Sequence, residues 1–286
     1  VSTATLDLAV YQFAPRFADP QANLERMRTL ARESTADVLL TPELSLTGYD
    51  LGDEAAHLAR PIVEQQPFDD AAADAAGVSH LAIGLCERGD DGLTYNALAI
   101  VHRGTVQFRH RKVYLPTYGM FDEGRFWARG GELRPWHLGS WCIGLLLCED
   151  LWHPALSWLY AAAGAHLLLV AAAAGGRGAI DGGEAGGRFA SADSWERIIR
   201  TMAQLHGVYV AFANRTGVEG GVTFAGGSLI AAPDGSILAR ANEDEETTLR
   251  VELSLEEVAR ARRPYAHARD EDHALVLRTL EGIVRA

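Results

Sequence analysis

The sequence predicts an α/β protein built on mixed β-sheet. Short apolar runs of strand length alternate along the chain with segments of helical spacing. Several of those runs are joined by tight turn dipeptides, which sets antiparallel hairpins among crossover helices and so implies a mixed rather than a purely parallel sheet. The 286 residues are 48% hydrophobic and 22% charged, an ordinary globular balance with enough apolar material for one sizeable core. No Pro/Ser-rich linker divides them, so residues 1–286 read as one domain.

The elements follow in order. Residues 6–13 form a strand. Asp19-Pro20 then supplies an N-cap and a first-turn proline for a helix to about Arg32, with Leu24, Met27 and Leu30 at helical spacing. Residues 37–40 are a strand, 53–60 and 69–76 are helical, and 81–86 is a strand. Residues 98–101 and 106–108 pair about Arg103-Gly104, and 136–138 and 141–147 pair about Gly139-Ser140. A helix over 155–163 precedes a strand at 167–170. Ser191 or Asp193 caps a helix to about His206. A strand at 208–213, a hairpin over 228–240, a strand at 248–253 and helices over 255–262 and about 272–284 complete the chain. No internal repeat is visible.

Composition excludes several classes. A formal net charge of −12 argues against nucleic acid and anionic membranes. The longest apolar candidate, 167–174, is far short of the roughly 20 residues a membrane helix needs. The N-terminus lacks a basic segment, an apolar segment and a cleavage site, so no secretory signal is expected. Without one, the sequon Asn214-Arg215-Thr216 carries no meaning. Three cysteines with no CxxC spacing fit a reducing, cytoplasmic setting. The glycine-rich stretch from Gly175 contains neither GxxxxGK[ST] nor a strand-linked GxGxxG, and reads as a mobile loop beside a site rather than a phosphate cradle. There is no GxSxG, and His137, His153 and His206 lack metal-ligand spacing.

The chemistry sits at strand ends. Gly144-Leu145-Leu146-Leu147 runs into Cys148-Glu149-Asp150-Leu151-Trp152. A thiol must lose its proton to react, and burying two neighbouring carboxylates without purpose is costly. Val38-Leu39-Leu40 ends in Thr41-Pro42-Glu43, where the proline stops the ladder. His110-Arg111-Lys112 ends a hairpin strand. A carboxylate, an ammonium and a thiol placed this way form a plausible catalytic constellation. Cys86 and Cys142 lie inside apolar strands and read as structural. Arg109, His110 and Arg111 read as a solvated charge run.

Pro42-Glu43, Arg111-Lys112 and Cys148-Glu149 resemble the three signatures of the nitrilase superfamily, the carbon–nitrogen hydrolases. The likeness extends to Asn214-Arg215-Thr216-Gly217, Phe224-Ala225-Gly226-Gly227-Ser228 and Pro233-Asp234-Gly235. Glu43-Leu44-Ser45-Leu46-Thr47-Gly48-Tyr49, the run from Lys112 to Glu123, and Cys148 to Trp152 are most similar to the glutaminase domain of glutamine-dependent NAD synthetase. The resemblance implies a four-layer α-β-β-α sandwich with mixed sheets, joined through helices into a homodimer or higher homo-oligomer. It implies a triad acting on a small-molecule amide, less readily a nitrile, with no cofactor and no metal. Glu43 would be the general base. Cys148 would be the nucleophile, held as thiolate by Lys112. Lys112 and the backbone N–H of Glu149 would stabilise the oxyanion. Glu123 would position substrate or bond the lysine, and Tyr118 would contact substrate, against the plainer readings of a loop acid and a packing ring. Trp152 is expected to pack.

The chain departs from the glutaminase pattern at 171–176. Ala171-Ala172-Ala173-Ala174-Gly175-Gly176 stands where such relatives carry polar side chains that grip the amino acid, and no synthetase domain is expected to follow. Free glutamine is therefore not the expected substrate. Two alternatives remain: a glutaminase subunit feeding ammonia to a separate synthetase, and a non-catalytic binding protein on the same fold.

Overall fold

A computed structural model describes residues 4–62, 79–119, 121–180, 188–265 and 267–285. The helix expected over 69–76 lies outside them.

Two six-stranded sheets form the centre. The first has the order β16-β1-β2-β3-β4-β5, with β1 at Thr5–Gln12, β2 at Val38–Leu40, β3 at His80–Arg88, β4 at Thr94–His102, β5 at Thr105–Arg111 and β16 at Thr247–Ser254. The second has the order β15-β14-β11-β8-β7-β6, with β6 at Trp136–Leu138, β7 at Trp141–Leu147, β8 at Leu167–Ala172, β11 at Tyr209–Asn214, β14 at Leu229–Ala231 and β15 at Ile237–Arg240; β9 at Ala179–Ile180 pairs with β10 at Arg188–Phe189, and β12 at Val218–Glu219 with β13 at Val222–Thr223, outside both sheets. Each sheet has two parallel pairings at its centre. In the first, β1 and β3 flank β2; in the second, β7 and β11 flank β8. Read from β16 and from β6, both sheets run antiparallel, parallel, parallel, antiparallel, antiparallel. The two halves thus repeat one topology that the sequence conceals.

Strand alternation builds the layers. Leu6, Leu8 and Val10 of β1 point into a core shared with Ile143, Leu145 and Leu147 of β7 and with Leu167 and Leu169 of β8. That shared core is the contact between the sheets. Ala9 and Tyr11, on the opposite face of β1, pack with Met27 and Ala31 of helix α1, Pro20–Glu33. On the far side, Leu168, Val170 and Phe212 meet Tyr160, Trp195 and Ile199 from two helices, Pro154–Ala162 and Ala190–His206. The result is the α-β-β-α sandwich.

Most predicted boundaries hold within two or three residues. Asp19 accepts from the N–H of Ala22 as the expected cap of α1. The helix ending at His206 begins earlier than expected: Phe189 is its N-cap, and Ser191 lies inside it. Ser191 Oγ instead accepts from the N–H of Arg177 and donates to Gly175 O. Gly176 donates to Thr223 O, and Ala179–Ile180 pairs with Arg188–Phe189. The described part of the glycine-rich stretch is therefore tied down rather than loose. Among the described residues, no helix is long and apolar enough to cross a membrane.

Candidate active site

The exits of β2, β5, β7 and β8 converge. After β2 the chain turns sharply at Thr41–Thr47, held by Thr41 Oγ1 bonding both Ser45 Oγ and Ala82 O. Leu44 adopts φ 49°, an uncommon conformation for a side chain of its size. The turn lies directly on β3, where a Cβ on Gly84 would stand 2.4 Å from Pro42 O. Only glycine permits that approach, and it delivers Glu43 into the interior, fully buried. Its Oε1 accepts from Lys112 Nζ and from Asn96 Nδ2, both at 2.7 Å, and its Oε2 accepts from the N–H of Ala173 at 2.9 Å.

Lys112 follows β5 and is also fully buried. Its backbone N–H donates to Asn96 O, so Asn96 of β4 fixes the main chain of the lysine and the carboxylate of the acid together. A second ammonium proton goes to Glu123 Oε1 at 2.7 Å. Burial works against the charge on Lys112, but Glu123 and Glu43 outweigh it and hold the ammonium well above its ordinary range. Glu123 itself is pushed up to about 7, chiefly by burial, with Lys112 pulling it back and Glu43 pushing it further. Tyr49 also donates its hydroxyl to Glu123 Oε1, while Glu123 Oε2 is buried without a partner among the described residues.

Cys148 begins a 3-10 turn over Cys148–Trp152 and has φ 44°. A non-glycine residue in the left-handed region at a strand end is a strained elbow of the kind found at functional sites. The sulfur is buried and lies in the field of Glu43, Lys112 and Glu123. Burial, then Glu43, drives the thiol well above its ordinary range despite Lys112. Burial and two nearby carboxylates thus work against a resting thiolate, and one ammonium works for it.

Asp150 organises the approach of these segments. It is fully buried. Its Oδ1 accepts from the N–H groups of Val113 and Tyr114, just after Lys112, and its Oδ2 from the N–H of Leu147, just before Cys148. His110 Nε2 lies 2.9 Å from the same oxygen. His110 is thus buried, not solvated, and Arg109 and Arg111 both pair with the buried Glu87. The solvated reading thus fails at His110, which strand alternation turns toward Asp150, while Arg109 on the other face stays exposed as expected.

A cavity of about 470 Å³ opens onto Cys148. Its described lining includes Pro116, Tyr118, Phe121, Glu149, Trp152, Arg177 and Trp195. The hydroxyl of the half-exposed Tyr118 donates to Glu149 Oε2 at 2.7 Å, so these two predicted substrate contacts act as one unit. Trp152 both packs edge-on against Trp195 and faces the cavity. All six predicted residues, Glu43, Lys112, Cys148, Glu123, Tyr118 and Glu149, belong to this one region. Sequence reading missed Asn96, Tyr49, Asp150 and His110. Asn96 was marked only by being a polar residue within an apolar strand. Among the described residues, no group of three His, Cys, Asp or Glu is placed to hold a metal ion.

A family model described as carbon-nitrogen hydrolase matches residues 7–263. The chain is 35% identical over 249 residues to a Pseudomonas protegens protein described as a hydrolase in the pqqF 5′ region, covering 84% of this chain and 80% of that one. It is 28% identical over 264 residues to a glutamine-dependent NAD(+) synthetase of Aquifex aeolicus, covering 90% of this chain but 44% of the synthetase, so it spans less than half of that relative. Among solved structures, it is similar to an amidase from Nesterenkonia sp. AN1, a glutamate-to-glutamine variant carrying acrylamide added at its active-site cysteine. That match has TM-score 0.72 and 27% identity, over 92% of this chain and 98% of that one.

Proposed function

The chain belongs to the carbon–nitrogen hydrolase family, and on that premise we propose that it hydrolyses a small-molecule amide through a thioester on Cys148. The sulfur attacks the carbonyl carbon as its proton passes to Glu43. Because the resting thiol holds its proton tightly, attack and proton transfer occur together. The carbonyl electron pair moves to oxygen, where the Lys112 ammonium and the N–H of Glu149 meet it. Collapse breaks the C–N bond, and Glu43 returns the proton to the departing nitrogen. Water then attacks the thioester and gives a proton to Glu43. Cleavage of the C–S bond releases the carboxylic acid, and the thiol regains its proton. Glu123 keeps Lys112 in place, and its unpartnered Oε2 is available to an N–H of the amide. Tyr118 and Glu149 line the route of the substrate.

The observation that carries this reading is the buried Glu43–Lys112–Glu123 cluster, whose charges act on Cys148 in the wall of the cavity. Burying three ionisable groups together costs several kcal/mol per uncompensated ion, which a binding protein on this fold has no reason to bear. A second reading, an ammonia-supplying subunit for a separate synthetase, is favoured by the NAD synthetase likeness. The helix His273–Arg285 buries none of its residues and exposes Leu277, Ile283 and Val284, which supports assembly into a homodimer or higher homo-oligomer. Three buried cysteines outside any disulfide fit a cytoplasmic setting.

The test is ammonia release screened across simple amides, ω-amides, carbamoyl compounds and nitriles. Release from an amide that vanishes in Cys148→Ala supports the proposal. Equal release in that variant, with contamination excluded, overturns it. Turnover of L-glutamine together with co-purification of a synthetase would establish the second reading instead.

A further inference from the structure

Arg215 and Glu219 form a buried ion pair that the chemistry above does not use. They flank the turn after β11, with Nη1 of Arg215 donating to Glu219 Oε2 at 2.8 Å. Both are almost wholly buried. A buried pair of this kind is weak as a source of stability, since apolar residues of equal volume often do as well. Its cost is visible here: Arg215 Nε has no partner among the described residues. The purpose lies in what the pair grips.

The other oxygen of Glu219 accepts from two successive backbone N–H groups, those of Tyr49 and Asp50, each at 2.7 Å. The guanidinium of Arg215 stacks 4.0 Å from the centre of the Phe224 ring, and Phe224 meets the Tyr49 ring edge-on. Gly48 makes the contact feasible. It sits at φ 84°, and a Cβ there would lie 2.7 Å from Glu219 Oε2. The main chain and the ring of Tyr49 are therefore both set by this pair, and the Tyr49 hydroxyl ends on Glu123 Oε1.

We propose that Arg215 and Glu219 are positioning residues for the site: by fixing Tyr49 they hold its hydroxyl on Glu123 and so set the proton state of the Lys112–Glu123 pair. The groups that face Glu123 are Lys112 Nζ, the Tyr49 hydroxyl, Glu43 and, within electrostatic range, Cys148. The hydroxyl donates to the ionised carboxylate and favours it. Its removal raises the pH at which Glu123 loses its proton, by about one unit for a charge-assisted bond. This inference rests on the amidase reading for its consequence in turnover, but not for the titration itself.

The experiment follows the carboxyl band of Glu123 by infrared difference spectroscopy against a Glu123→Gln reference, over pH, alongside kcat and KM on the best amide. The proteins are wild type, Tyr49→Phe, Glu219→Gln and the double variant Arg215→Met/Glu219→Leu, which leaves no unpaired buried charge should Glu219→Gln fail to fold. The expected result is a midpoint moved up by about one unit in Tyr49→Phe, and in the same direction in whichever Glu219 variant folds. At pH 7, kcat falls about five-fold with KM little changed, as a one-unit shift of a group titrating near neutrality requires. An unmoved midpoint in Tyr49→Phe overturns the proposal. So does a shift in Tyr49→Phe with none in a folded Glu219 variant, since the pair is then only structural. A shifted titration in a protein that releases no ammonia from any amide sinks the amidase reading and leaves the positioning role standing.

Discussion

Replacing Asp150 by asparagine tests the frame of the site at its narrowest point. Asparagine keeps the shape and one acceptor oxygen, which still serves the N–H groups of Val113 and Tyr114. The other position becomes an amide nitrogen facing the N–H of Leu147, two donors in contact, and the N–H loses its acceptor. A buried donor left unsatisfied costs about 1–3 kcal/mol. The bonds that remain change from charge-assisted to neutral, roughly halving in strength, and His110 must present an unprotonated Nε2 to the new amide. The sum is a loss of about 2–4 kcal/mol, read from the urea midpoint at unchanged slope. Turnover should suffer beyond this, because Leu147 precedes Cys148 and Val113 follows Lys112. A displacement on the order of 1 Å between reacting groups costs about 10²-fold. A folded variant with less than about 0.5 kcal/mol lost and normal kcat/KM would show that the carboxylate is not what holds these strand exits together.

Further outcomes follow from the same geometry. Glu43→Gln and Lys112→Ala should each fold and lose at least about 10²–10³ in kcat, the usual effect of one oxyanion donor, and near-normal rates in either would remove its assigned role. Mass spectrometry of quenched reactions should find an acyl adduct on the peptide carrying Cys148, and its absence under steady turnover would exclude the thioester. L-glutamine should be a poor substrate, because Ala174 and Gly175 bring no side-chain donors to their part of the cavity wall, which Arg177 and Ser191 elsewhere in the lining do not replace, at about 1–3 kcal/mol per missing bond; a kcat/KM near ~10⁴ M⁻¹s⁻¹ would contradict that. His80 is lowered to about 4, by burial and then by its stacked neighbour His102. The unfolded chain therefore binds the extra proton first, and stability is lost as pH falls from about 6.5 to 4. Discounted for its partial exposure, the effect is about 1–2 kcal/mol, and His80→Gln should flatten that slope in urea titrations at successive pH values.

The residues that sequence reading found and those it missed differ in one physical respect. Glu43, Lys112 and Cys148 each end an apolar run, so the break in hydrophobicity marks them without knowledge of the fold. Tyr49, Asn96, Asp150 and His110 act through partners that become neighbours only when strands are in register. Asn96 meets Lys112 because β4 and β5 pair with Ala97 opposite Arg111. Asp150 meets His110 because the first sheet packs on the second. Charge patterning made the opposite error at His110, which is buried, while Arg109 is exposed as expected. A run of three basic residues is usually solvated, and only the fold supplies the buried Glu87 and Asp150 that neutralise it. The repeated topology of the two sheets was invisible for a related reason, since pairing direction leaves no trace in hydrophobic alternation.

The strain at the site has a consistent sense. Leu44 and Cys148 both take positive φ, one just after the proposed base and the other at the proposed nucleophile. Each is held by groups that serve the strand exits rather than the reaction: Thr41, Ser45 and Gly84 on one side, Asp150 on the other. Left-handed turns cost of order 1–3 kcal/mol each, and they persist because the two sheets fix the chain on both sides of them. Rigidity is thus what the sandwich contributes to the chemistry. It keeps a thiol, a carboxylate and an ammonium close together in a buried place that none of them would occupy alone.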